Sequence, residues 1–158
     1  MNILIDEHKA LLIQLLKAKI DFILIGGHAV IYHGYGRTTG DMDIWLKPDN
    51  ETREKLIPLL EAYGIVREDI ERLKKTDFTQ MIAFHIGDPP DRVDFLTRLA
   101  GLEYPEADKK KVFLSLESYQ VPVLHLDHLI INKLTSGRAK DKADVEELQK
   151  IMRLKKGQ

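Results

Sequence analysis

The sequence predicts a mixed α+β fold, a sheet flanked by helices with a short C-terminal helical tail, and three observations carry that prediction. An apolar strand at 22–25 runs through the pair Gly26-Gly27 into a helical pattern at 27–34. Alternating apolar and polar positions mark a strand at 41–46, and two further runs, 79–86 and 92–97, flank the turn-rich Gly87-Asp88-Pro89-Pro90-Asp91. From 126 to 154 the pattern is helical. No repeat, low-complexity segment or linker interrupts these elements. Residues 1–158 therefore read as a single domain, with a catalytic core at about 20–100 and a helical tail at about 126–155.

Each element has a local reason. Residues 6–19 carry Leu11, Leu12, Leu15 and Leu16 at helical spacing with Lys17 and Lys19 near the end, an amphipathic helix suited to packing on the sheet. The helix at 27–34 ends at Gly34-Tyr35-Gly36, whose glycines tolerate positive φ. A loop at 35–40 leads into the strand at 41–46, and Pro48-Asp49-Asn50 breaks it before a helix at 51–63, with Asn50 as the expected N-cap and Gly64 as the stop. Residues 67–75 read as a short charged surface helix, and 79–86 with 92–97 as an antiparallel hairpin. Between 101 and 111 the chain is polar, with Pro105 suited to an early helical position. The run Lys109-Lys110-Lys111 is either a solvated face or a weak RNA contact. Short strands follow at 112–116 and 119–124, then two helices parted near Ser136-Gly137-Arg138, with Asp127 as the expected N-cap of the first.

The chemistry concentrates at 25–46. Period-2 alternation sends Met42, Ile44 and Leu46 to one face and Asp41 and Asp43 to the other. Two adjacent carboxylates on a rigid strand repel each other unless a cation sits between them, and magnesium, which takes hard oxygen ligands shared with phosphates, is the natural one. The glycine pair lets backbone N–H groups approach a phosphate closely at the start of a helix. On the later strand Val93 and Phe95 point one way and Arg92, Asp94 and Leu96 the other. If that strand lies beside 41–46, Asp94 completes three carboxylates on one surface.

Plainer readings stand beside these. Gly26-Gly27 also suits a mere tight turn, Asp41 and Asp43 the solvated face of an edge strand, and Asp94 an ion pair with Arg92 or Arg98. His28, His33, His85, His125 and His128 show no metal-ligand spacing and read as core or surface residues, except that His28 follows the glycine pair within reach of a phosphate or base. Trp45 suits packing more than base stacking.

Composition narrows the classes. With 44% hydrophobic and 31% charged residues the chain is globular. Lys+Arg of 24 against Asp+Glu of 25 leaves a net charge of -1, so nucleic-acid binding would need a local basic patch. The absence of cysteine excludes disulfides and thiolate metal sites. Residues 1–16 carry acidic groups where a signal peptide needs basic ones, and no apolar run reaches membrane-spanning length; the chain reads as cytoplasmic, with no membrane partner.

Gly26-Gly27, Gly34, Arg37, Thr39 and Asp41-x-Asp43, followed by a lone strand aspartate, resemble the nucleotidyltransferase superfamily related to DNA polymerase β, and within it the small bacterial proteins of the AbiEii toxin and minimal nucleotidyltransferase type. The tail adds Lys133 and the string Arg138-Ala139-Lys140-Asp141-Lys142-Ala143-Asp144. The resemblance spans about 20–150, although toxins of the AbiEii kind are longer chains. It implies transfer of a nucleoside monophosphate from a triphosphate to a hydroxyl through two magnesium ions, with manganese as a substitute, and release of pyrophosphate. On that pattern Asp41 and Asp43 hold both ions, and Asp94 holds the one that activates the hydroxyl and accepts its proton. The backbone at Gly26 and Gly27, with His28 and Thr39 nearby, cradles the triphosphate, and Arg37 and Lys133 meet its phosphates. Lys140 and Asp141 either contact the nucleotide or lock the tail helix against the catalytic loop. The implied partners are a nucleoside triphosphate, an acceptor that is either RNA or a small molecule such as an aminoglycoside, and a cognate antitoxin in the toxin case. A nucleotide-binding or interaction protein without turnover is the competing class. A γ-phosphate kinase has no support, since no G-x-x-x-x-G-K-[ST], H-R-D or D-F-G string is present.

Overall fold

The computed structural model describes residues 4–157; residues 1–3 and 158, the ends of the expected domain, lie outside it. Among the described residues, seven α-helices surround one six-stranded sheet. The helices are α1 (Asp6–Lys17), α2 (Gly26–Tyr32), α3 (Asn50–Ala62), α4 (Arg67–Lys74), α5 (Tyr104–Lys110), α6 (Leu126–Ser136) and α7 (Lys142–Lys156). The strands are β1 (Phe22–Ile25), β2 (Met42–Leu46), β3 (Ala83–Ile86), β4 (Val93–Leu96), β5 (Val112–Leu116) and β6 (Tyr119–Val123), in spatial order β3-β4-β2-β1-β6-β5. The sheet is mixed: β1 runs antiparallel to β2 and parallel to β6, while β2 runs parallel to β4. Antiparallel hairpins β3–β4 and β5–β6 complete its two ends.

The four residues of β1 are all buried, as a strand covered on both faces requires. On β2 the apolar Met42, Ile44 and Leu46 are fully buried and join a core with Phe22, Leu24, Val93 and Phe95. Trp45 is buried as well: its ring stands edge-on to Tyr104, with centroids 5.2 Å apart, and its indole N–H donates to the Thr97 carbonyl at 3.1 Å. That is packing, as expected. The α1 helix packs on β6 and α3, and α2 on β1, β2 and α6.

Three local expectations need correction. Asp49, not Asn50, caps α3: its backbone is extended, and its carboxylate accepts the Thr52 N–H at 2.8 Å, a stronger anchor than an amide oxygen. Asn50 lies inside the helix and accepts the Phe78 N–H instead. His125, not Asp127, caps α6, its ring Nδ1 accepting the Asp127 N–H at 3.0 Å. The first hairpin strand begins at Ala83 and not at 79, because Asp77 holds the chain in a turn through the Thr79 N–H and hydroxyl. Among the described residues, no helix is long and apolar enough to cross a membrane.

Candidate active site

The register of two parallel strands builds the carboxylate surface. Asp43 on β2 lies directly opposite Asp94 on β4, with Met42 opposite Val93 and Ile44 opposite Phe95. Strand β2 is interior, flanked by β1 and β4, so its carboxylates are not the solvated face of an edge. Asp41 sits in the bend just before β2, and the same register places it beside Arg92. The Arg92 guanidinium donates to Asp94 from Nη2 at 2.9 Å and stands 3.5 Å from an Asp41 oxygen. Arg98 instead donates to the Thr79 carbonyl.

The Asp43 carboxyl is pushed up to about 6, first by burial and then by the charges of Asp94 and Asp41. The nearby charges of Arg138 and Lys133 oppose that rise and do not outweigh it. Gly26, at φ +69°, opens α2 with its Cα against that carboxylate, and a Cβ there would overlap it. Gly27 lies equally close to the Thr39 hydroxyl. The pair is thus a tight turn, and also the contact that seats Asp43 and Thr39.

A second group of charges ties the tail to the loop before β2. Arg37 donates a bidentate pair to Asp144, from Nε at 2.8 Å and from Nη2 at 3.0 Å. Lys133, 5% exposed, lies 3.0 Å from both Asp141 and Asp144. Burial works to raise the Asp141 pKa, but hydrogen bonds from Arg138, Lys133 and Ser136 outweigh it and hold the group at about 2. Lys140 is exposed and, among the described residues, forms no ion pair.

One cleft of about 680 Å³, the size of a cofactor or nucleotide pocket, is lined by Gly26, Gly27, Arg37, Thr39, Asp41, Asp43 and Asp94, and by Lys133, Lys140 and Asp141. Of the expected site residues only His28 is not among its lining. His28 is 2% exposed, its ring edge-on to His8 at 5.6 Å, and burial holds its pKa down at about 4. Tyr35, Arg92, Arg138 and Asp144 also line the cleft. Period-2 alternation already put Arg92 on the Asp94 face, and Arg138 and Asp144 stand in the tail string; no sequence signal singled out Tyr35. The donors that Asp41, Asp43 and Asp94 offer are all carboxylate oxygens, a set that suits magnesium or manganese. Among the described residues, no three His, Asp or Glu side chains converge closely enough to hold an ion as they stand. Arg92 occupies the space between Asp41 and Asp94.

Comparison with known proteins gives a family and a fold. Residues 3–155 match the family described as Nucleotidyltransferase of unknown function (DUF6036). Two crystal structures share the fold. A Thermotoga maritima protein described as a candidate nucleotidyltransferase is 15% identical with a TM-score of 0.52, the match covering 90% of this chain and 89% of that one. An antigenic nucleotidyltransferase-like protein from Paracoccidioides brasiliensis is 16% identical with a TM-score of 0.53, covering 92% and 73% respectively. No curated protein matches the chain.

Proposed function

The chain belongs to this nucleotidyltransferase family, and from that premise we propose that it is an enzyme, a single catalytic domain over residues 1–158 that moves a nucleoside monophosphate from a triphosphate to a hydroxyl acceptor. The observation that carries the reading is the register pairing of Asp43 with Asp94, with Asp41 one step away, over a glycine turn in a nucleotide-sized cleft. Asp41, Asp43 and Asp94 would hold two magnesium or manganese ions, which when bound lower the pKa of the attacking hydroxyl and offset charge on the leaving pyrophosphate. Asp94, the outer of the register pair, is the group that takes the hydroxyl proton. The Gly26 and Gly27 backbone approaches the triphosphate because no side chain stands in the way. Lys140, which forms no ion pair among the described residues, is the tail cation available to a phosphate. Arg37 and Lys133 are held by Asp144 and Asp141, so their part is to fix the wall of the cleft.

Five basic side chains in the cleft face five carboxylates, so its lining has no net positive field. With a chain net charge of -1, this favours a small-molecule acceptor over a polynucleotide. Label transfer tests the proposal: purified protein, magnesium, cell extract and triphosphates labelled at the α or the γ position. Label from the α position alone, appearing on a small molecule, is expected. Label on RNA would keep the chemistry and overturn the acceptor class. Label from γ alone would mean a kinase, and metal-dependent binding with no transfer would favour a nucleotide-binding protein without turnover.

A further inference from the structure

Arg92 has two claims on it. As the residue before β4 its main chain is pinned, the Met42 N–H donating to its carbonyl at 3.1 Å. Its side chain is not pinned in the same way: it is 35% exposed, reaches into the cleft, and its only ion partners among the described residues are Asp41 and Asp94. Those are two of the three carboxylates assigned to metal in the reading above, on which this inference rests. A guanidinium there does electrostatically what an ion would do, but with one charge and directed N–H bonds.

We infer that Arg92 is the resident counter-cation of the carboxylate surface, which must give up Asp41 and Asp94 before metal can bind, so that metal enters together with the triphosphate. The geometry accounts for the exchange. Asp41 and Asp94, the two carboxylates that flank Asp43, become available to an ion when the guanidinium leaves them. A guanidinium leaving carboxylates for open solvent would lose its charged hydrogen bonds, whereas phosphate oxygens at the mouth of the same cleft offer bidentate replacements. Without nucleotide the arginine therefore competes with metal. With nucleotide, each cation gains an anionic partner. Arg92 is thus a positioning residue that couples metal binding to substrate binding.

The test is manganese binding, followed by the paramagnetic signal of free ion and by calorimetry, with wild type, Arg92→Gln, Arg92→Lys and Asp43→Asn. Each is measured with and without a non-hydrolysable triphosphate analogue. Without nucleotide, Arg92→Gln should bind manganese about tenfold more tightly than wild type, and Arg92→Lys by an intermediate amount, since removing a unit charge a few ångströms from a divalent ion has effects of this order. With the analogue present the advantage should shrink or reverse. Equal or weaker manganese binding by Arg92→Gln without nucleotide overturns the inference, leaving Arg92 as a fixed partner of Asp94. Unchanged manganese binding by Asp43→Asn, with or without analogue, would instead overturn the metal reading of the site itself.

Discussion

Asp43 and His28, fifteen positions apart in sequence, pull the stability of the metal-free protein in opposite directions as pH changes. The Asp43 pKa is raised from 3.8 to about 6, so its contribution is fully present below the unfolded value and is lost as pH rises through 6. The His28 pKa is lowered from 6.5 to about 4, so its contribution is present above 6.5 and lost as pH falls through 4. Each shift corresponds to about 3 kcal/mol, and the two nearly cancel between pH 4 and 6. In denaturant unfolding without divalent metal this pair should therefore contribute little net pH dependence over that window in wild type, while His33 and His128, whose pKa values burial also lowers, contribute a loss towards acid. Asp43→Asn should unmask a loss of stability towards acid and should raise stability at neutral pH by about 2 kcal/mol, while abolishing transfer. If that variant is instead less stable without metal, its carboxylate serves the structure. His28→Gln should unmask the opposite slope, and an unchanged profile would mean that the ring titrates normally.

At the scale of elements, the β1–α2 turn and the register of β2 on β4 do different work. The turn works only with glycine. Gly26→Ala would strain a backbone at φ +69° and push a methyl into the Asp43 carboxylate. A stability loss of about 2 kcal/mol or more is expected, with loss of transfer, because the carboxylate must rotate away. Asp49→Ala removes the α3 cap and should cost about 1 kcal/mol in thermal or denaturant unfolding without touching the nucleotide, since α3 lines no part of the cleft. The turn was legible in the sequence because a glycine pair between strand and helix has few uses. The caps were not, because Asp49 and Asn50 are equally good capping types; what decides is which residue adopts the extended backbone. His125 was less legible still, its ring nitrogen taking a place that Asp127 fills equally well on propensity.

At the scale of the molecule, the chain Arg37–Asp144–Lys133–Asp141–Arg138 joins the loop before β2, α6, the 3-10 turn at Ala139–Asp141 and α7. Lys133 is its centre and is buried between two carboxylates. Lys133→Met would leave Asp141 and Asp144 buried with less compensation, and should cost about 3–5 kcal/mol in denaturant unfolding. Lys140→Ala should leave stability within about 0.5 kcal/mol and weaken triphosphate binding. If Lys140→Ala unfolds the tail and Lys133→Met does not, the locking and binding roles are exchanged. Because Asp141 is held near 2, its contribution is present above the ordinary carboxylate value and lost as pH falls through 2.

The sequence by itself determined the α+β class, most element boundaries, the two faces of β2 and β4, and the nucleotidyltransferase resemblance. Those depend on side-chain periods and on residue types with few alternatives, both written along the chain. Only the tertiary structure decided that Asp94 stands opposite Asp43 and that His28 turns away from the cleft to meet His8. It likewise decided that Lys133 spends its charge on Asp141 and Asp144. Strand order and register bring together residues about 50 positions apart in sequence. A lysine's partner is set by whichever carboxylate the packing delivers within 3.0 Å, as with Asp144 from α7, a distance no local pattern encodes.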